Sequence, residues 1–100
     1  MNLTIRAVAF QSGDWWVAQC LEYAIATQTR RLEDLPYEID RLLKVQIAAS
    51  LERGIEPFHG FSPAPPKYWR MFEGSRSQLL PVVERDLSQG PLEIETRIAA

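Results

Sequence analysis

Residues 3–21 read LTIRAVAFQSGDWWVAQCL, and this stretch decides the fold. Two runs of β-forming residues flank the turn signal Ser12-Gly13-Asp14, a pattern that predicts a β-hairpin. With Gly13-Asp14 at the centre of the turn, Phe10 lies opposite Val17. The predicted register then decides which side chains share a face of the hairpin.

Side chains along a strand alternate between two faces, so this register sorts the hairpin into two sets. The first face carries mostly small residues, which let a helix approach closely: Ile5, Ala7, Ala9, Trp16, Ala18 and Cys20. The second face carries larger apolar residues, interrupted by Arg6 and Gln19: Val8, Phe10, Trp15, Val17 and Leu21. Antiparallel sheets usually leave one face polar and wet, yet neither face here is polar. We therefore expect another element to cover the second face.

A third strand and a long amphipathic helix follow the hairpin. Residues 25–29 complete a three-stranded antiparallel meander. Residues 32–53 predict a helix, with Pro36 in its first turn and Gly54 just past its end. Its apolar stripe recurs at spacings of one to four residues: Leu35, Ile39, Leu42, Leu43, Ile47 and Leu51. The charged residues, Asp40 among them, are expected mostly off that stripe.

The second half of the chain is less regular. Prolines mark residues 55–66 as a connection. Residues 67–73 predict a short aromatic helix, and residues 79–87 are ambiguous. Residues 92–98 alternate as an amphipathic strand after a Gly90-Pro91 turn. The sequence leaves open whether this C-terminal strand joins the sheet.

These elements predict an α+β fold, an antiparallel three-stranded meander plus one long amphipathic helix (β-β-β-α). Residues 1–54 form the core, and residues 55–100 are expected to belong to the same single domain, since the chain has 100 residues. A net charge of −2 gives the whole molecule no attraction to nucleic acid or anionic lipid. The one cysteine excludes an intrachain disulfide. With no signal peptide or transmembrane run in the sequence, we expect a cytoplasmic protein.

Three stretches of the first half carry a family resemblance: 13–20 (GDWWVAQC), 25–28 (IATQ) and 32–35 (LEDL). Through them, residues 3–53 resemble the HicB-like antitoxin family. The resemblance implies a β-β-β-α-β core, described as a partial ribonuclease H-like fold. It also implies an oligomer that masks a small HicA-type mRNA-cleaving toxin. Leu21-Glu22-Tyr23-Ala24 replaces the family's proline- and glycine-rich turn, and nothing after Gly54 predicts a DNA-binding segment, so DNA binding is not expected.

Several residues are of types that can carry out catalysis or bind a metal ion. His59, in a proline-rich loop, is expected to be structural or solvated, since a metal site or general base needs partners nearby. Cys20 is expected to be a buried thiol. Four carboxylates are candidate metal ligands on a ribonuclease H-like scaffold, although turn and helix-start roles explain them better: Asp14, Glu22, Glu33 and Asp34.

A modest basic cluster is a candidate RNA contact, with a solvated helix start as the favoured interpretation: Arg30, Arg31, Arg41, Lys44 and Arg6. The aromatic residues of the 67–73 segment predict either a protein-interaction hot spot or a cover for the second face. The two are compatible if the segment crosses to another copy of the chain.

The function expected from the sequence is a non-enzymatic, HicB-like protein-binding module, without cofactor or metal, that forms a homo-oligomer and masks a small toxin-type ribonuclease. Its candidate interface comprises Val8, Phe10, Trp15, Val17, Tyr68, Trp69 and Phe72. The alternatives are a metal-dependent nuclease and an RNA-binding domain on the same scaffold.

Overall fold

The computed structural model describes residues 3–75, 83–87 and 90–99. In chain order the elements are β1 (Leu3–Ser12), β2 (Trp15–Cys20), β3 (Ala26–Thr29), a 3₁₀ turn (Leu32–Asp34), α1 (Leu35–Glu52), α2 (Pro66–Gly74), β4 (Val83–Leu87) and β5 (Gly90–Ile98). The strands form one mixed sheet in the order β3-β2-β1-β5-β4. Only β1 and β5 are parallel among these neighbours. The predicted α+β class is confirmed.

The hairpin has the predicted register. Phe10 pairs with Val17 and Ser12 pairs with Trp15, so Gly13 and Asp14 form a two-residue turn. Gly13 has a φ of 59°. A glycine with positive φ at the first central position is the requirement of a type II′ turn, whose twist matches that of the strands. The local sequence therefore sets the pairing of β1 with β2.

Helix α1 packs against the first face of the sheet, as the small residues predicted. The core between them is formed by Ile5, Ala7, Ala9, Ala18, Cys20, Ile25, Leu35, Ile39, Leu43, Ile47, Phe58 and Ile94. Leu51, predicted in the buried stripe, is 39% exposed. At 3.6 residues per turn, the eight residues from Leu43 to Leu51 rotate the side chain about 80° away from the core. Ser50 is buried near this end of the helix instead.

Asp40 corrects a second expectation for α1. The sequence predicts this charged residue off the buried stripe, yet Asp40 is only 6% exposed. The Lys44 ammonium lies 3.2 Å from its carboxylate, one helical turn further along. Burial of a carboxylate is costly unless it is paired, and this ion pair supplies a countercharge.

Both ends of α1 follow local rules. Residues Leu32–Asp34 form a 3₁₀ turn, so the α-helix begins three residues later than predicted, with Pro36 in its first turn. At the other end Gly54 has a φ of 69°. Its N–H donates to the Leu51 carbonyl and the Ile55 N–H donates to the Ser50 carbonyl, both at 3.1 Å. This pair of bonds is the Schellman motif, which satisfies carbonyls that the helix end leaves unpaired.

Helix α2 covers part of the second face. A second core forms around Val8, Leu21, Ala64 and Phe72, with Phe10, Tyr68, Trp69, Met71 and Ala99 packed against it. The rings of Phe10 and Tyr68 stack with centroids 5.9 Å apart. The expected cover therefore comes from the aromatic segment of the same chain, and the predicted helix 67–73 is confirmed with one more residue at each end.

The C-terminal strand joins the sheet beside β1, which the sequence left open. Val8 pairs with Arg97 in this parallel ladder. Gly90 and Pro91 were predicted as a turn, but both belong to β5. The ambiguous stretch 79–87 contributes β4 from Val83 onward, while residues 79–82 lie outside the described residues. The sequence of β4, VERDL, has a charged centre without alternation, so periodicity did not identify it.

Candidate interaction surface

Arg6 lies beneath α2 on the second face and is held by Glu22. The Arg6 Nε donates to Glu22 Oε2 at 2.6 Å, and the backbone N–H of Arg6 donates to Glu22 Oε1 at 2.7 Å. The guanidinium also lies 4.7 Å from the centre of the Trp69 ring, a cation–π distance. Glu22 therefore positions the arginine on which an aromatic residue of α2 rests.

A second arginine holds the end of α2. The Arg97 guanidinium lies 4.2 Å from the centre of the Phe72 ring and donates to the Phe72 carbonyl at 3.3 Å. The indole N–H of Trp69 donates to the Ala64 carbonyl at 3.1 Å. Because these contacts satisfy polar groups at the edges of the aromatic cluster, α2 is fixed on β1 and β5 in one orientation.

The seven residues of the candidate interface divide into two groups. Five of them meet in the second core, where Val8 and Phe72 are buried within this one chain: Val8, Phe10, Tyr68, Trp69 and Phe72. Trp15 and Val17 are half-buried and belong to neither hydrophobic core. The surface open to a partner on this face is thus smaller than the sequence suggested.

Among the described residues, neither core extends over the part of the second face on β2 and β3, where Trp15 and Val17 are half-buried and Gln28 and Arg30 are exposed. We call these four residues the β2–β3 surface. Val17 pairs with Gln28 across the two strands. The exposed Arg30 places its guanidinium 4.4 Å from the centre of the Trp15 ring. This contact holds a large aromatic ring and a positive charge side by side at the end of the sheet.

The predicted basic cluster is divided by ion pairs and by the sheet. Arg31 pairs with Glu33 at 3.2 Å, and Arg41 pairs with Glu38 at 2.9 Å. The hydrogen bond from Arg41 holds the pKa of the Glu38 carboxyl below its usual value. Arg6 lies on the second face under α2, opposite the face that carries α1. The structure therefore does not bring these cations together as one basic patch.

The carboxylates that were candidate metal ligands also lie in different parts of the structure. Asp14 lies in the hairpin turn, whereas Glu22 is bound to Arg6 beneath α2. Glu33 is an exposed partner of Arg31. Among residues 3–75, 83–87 and 90–99, no three or more His, Cys, Asp or Glu side chains are grouped so that they could hold a metal ion.

Cys20 is a core residue, as predicted. It is 2% exposed in the first core. Burial, with a smaller contribution from the nearby charge of Glu22, raises the pKa of its thiol to about 12. A thiol held protonated in this way is a weak nucleophile, because the thiolate is the reactive form.

The loop around His59 has a structural role that sequence reasoning missed. His59 is exposed, but its neighbour Phe58 is buried in the first core and has a φ of 64°. Its ring stacks on Tyr23 with centroids 4.5 Å apart. The only sequence signal for this buried contact was the presence of an aromatic residue, Phe58, in a loop rich in proline and glycine.

Within the described part of the chain, no helix is both long and apolar enough to cross a membrane. Comparisons with protein-family models, with curated proteins and with solved structures found no significant match.

Proposed function

We propose that this protein is a non-enzymatic, HicB-like protein-binding module that self-associates and masks a small partner, for which a toxin-type ribonuclease is the expected example. One observation carries the proposal: among the described residues, α2 covers only part of the apolar second face, and Trp15 and Val17 of the β2–β3 surface stay outside both cores.

The composition of this surface suits protein recognition. Tryptophan and arginine are enriched among the residues that contribute most binding energy at interfaces. The Arg30 guanidinium is already stacked on Trp15, so less side-chain freedom remains to be lost when a partner binds. Val17 adds an apolar contact beside this pair.

The sheet topology supports the HicB-like part of the proposal. The resemblance of residues 3–53 implies a strand that follows the helix and completes a β-β-β-α-β core. β5 follows α1 in the chain and lies parallel to β1. In this interpretation, α2 and β4 are insertions between α1 and β5.

Partner capture from the native host tests the masking function. The tagged full-length protein should recover a small protein, and Trp15→Ser should lose it because the largest apolar side chain of the surface is removed. Tyr37→Ser is the matched control, since Tyr37 is 71% exposed on α1 and an aromatic residue is again exchanged for serine. Circular dichroism of each variant establishes that it is folded.

Light scattering after size separation tests the self-association. The wild-type protein should form a dimer or larger assembly at tens of micromolar. A monomer at that concentration, together with failure to recover any small partner, would contradict the proposed function. Equal capture by the wild type and by Trp15→Ser would contradict the assignment of the β2–β3 surface.

A further inference from the structure

β3 forms one edge of the sheet, and the pairing shows which of its backbone groups face outward. The Cys20 N–H donates to the Ile25 carbonyl at 2.9 Å, so these two residues are a hydrogen-bonded pair. Hydrogen-bonded pairs alternate along an antiparallel ladder. Ala26 and Gln28 therefore each belong to a non-hydrogen-bonded pair with a residue of β2. Their backbone N–H and C=O groups point away from the sheet.

These outward groups are accessible. Ala26 and Gln28 are both exposed. Among the described residues, no loop or turn supplies a backbone hydrogen bond to either of them. An edge strand with unpaired N–H and C=O groups is a template for pairing with another strand.

We propose that the occupant of this edge is a second copy of the same chain, which pairs its own β3 antiparallel to the first. The proposal rests on the self-association in the proposed function and names the surface that produces it. In the two-fold register centred on Thr27, Ala26 faces the second copy's Gln28, and Gln28 faces the second copy's Ala26. Each such pair exchanges two N–H···O bonds, so the outward groups of both residues are satisfied.

Side chains and charges are compatible with this register. The small Ala26 lies opposite the long Gln28, and Thr27 lies opposite its own copy, a favourable cross-strand pair. Arg30 follows the strand, so the antiparallel arrangement places the arginines of the two copies at opposite ends of the paired strands. Like charges therefore do not face each other across the new ladder.

The shortness of β3 favours a closed dimer over open-ended aggregation. The strand has four residues and is followed by two arginines, which are features that limit uncontrolled edge pairing. A two-fold contact uses the same edge on both copies, so nothing of that edge remains for a third. The two-fold axis is perpendicular to the joined sheet, and both β2–β3 surfaces then face the same side.

Gln28→Pro tests the backbone contact directly. Proline removes the outward N–H, while the ladder between β2 and β3 stays intact because that N–H faces away from β2. Gln28→Ala is the matched control, because it removes the same side chain and keeps the N–H. Sedimentation of the full chain from about 1 to about 200 µM covers the range where weak dimers dissociate.

Gln28→Pro should weaken the dimer at least about tenfold, since two hydrogen bonds are lost per dimer. The dimer affinity of Gln28→Ala should stay within about threefold of that of the wild type, because exchange of an exposed side chain usually has a small effect. Equal dimerisation of all three proteins would overturn the edge contact and leave the proposed function standing. A wild-type monomer throughout the range would also overturn it, while partner capture would still test the masking function separately.

Hydrogen exchange of the wild-type protein keeps the test decisive if Gln28→Pro does not fold. The amides of Ala26 and Gln28 should become protected as the protein concentration rises, whereas the amides of Thr27 and Thr29 should be protected at every concentration by their bonds to β2. Unprotected Ala26 and Gln28 amides at concentrations where the dimer dominates would overturn the proposal.

Discussion

The Nε atom of Arg6 lies 2.6 Å from Oε2 of Glu22, and this ion pair ties the first strand to the loop that follows the second strand. The same carboxylate accepts the backbone N–H of Arg6. Trp69 of α2 rests on the arginine. A contact between residues sixteen positions apart thus supports the helix that covers the second face.

Glu22→Gln should lower the free energy of unfolding by about 1–2 kcal/mol, because the neutral amide keeps one acceptor but loses the charge-assisted bond to Arg6. The expected loss is moderate because the Arg6 and Glu22 side chains remain 40% and 23% exposed, so solvent screens the pair. Glu33→Gln is the matched control. Its carboxylate pairs with Arg31 but is 71% exposed, and its loss should cost less than about 0.5 kcal/mol. Urea unfolding measures both, and equal effects would contradict the assigned role of Glu22.

Phe72→Ala should destabilise the protein by about 3 kcal/mol or more, since the ring is buried in the second core and the change leaves a cavity. The Arg97 guanidinium also loses the aromatic face on which it lies. Tyr37→Ala removes a similarly large aromatic side chain from an exposed position of α1, and it should change stability by less than about 0.5 kcal/mol. Thermal or urea unfolding of the two variants would show whether α2 is an integral part of the fold.

Gly13→Ala should cost about 1–2 kcal/mol through the backbone alone, because φ at this position is 59° and an added Cβ would meet no atom within 4 Å. Gly74→Ala is the control at another open position, where φ is not in the left-handed region and an added Cβ would also meet nothing within 4 Å. That variant should be neutral or slightly more stable, because alanine restricts the unfolded chain. A Gly13→Ala protein as stable as the wild type would contradict the turn assignment.

The stability of the protein should fall at alkaline pH because of Cys20. Burial favours the neutral thiol and raises its pKa from 9.0 to about 12 in the folded protein. A raised pKa means that the stabilisation is complete below pH 9 and is lost as pH rises from 9 toward 12. The loss should reach roughly 3 kcal/mol by pH 11, since each pH unit between the two pKa values costs about 1.4 kcal/mol.

Cys20→Ala is the control for this titration. Its stability should be lower at neutral pH, where a buried side chain has been shortened, but it should lack the part of the alkaline loss that belongs to the thiol. Urea unfolding of both proteins between pH 7 and pH 11 separates this effect from the titration of lysine and tyrosine, which the two proteins share. Parallel pH profiles for the two proteins would contradict a thiol pKa near 12.

Local sequence determined the hairpin, the long helix and the short aromatic helix. Gly13 allows the tight turn, and the strict alternation of strand side chains then assigns Ala9 and Ala18 to one face and Phe10 and Val17 to the other. The helices are predicted by the spacing of their apolar residues and by the residues at their ends, such as Gly54 just past the end of α1. These features depend on residues that are near one another in the chain, so a sequence pattern contains most of the information.

Tertiary structure alone decided how the two halves combine. The parallel pairing of β1 with β5 joins residues about ninety positions apart, and no local pattern specifies such a partner. The same is true of the return of α2 onto Val8 within its own chain, where the sequence left open a crossing to another copy. Trp15 and Phe10 belong to one predicted face, yet α2 packs against Phe10 and leaves Trp15 beside Arg30. Alternation along a strand assigns a side chain to a face, but only the packing of distant elements decides which part of that face is covered.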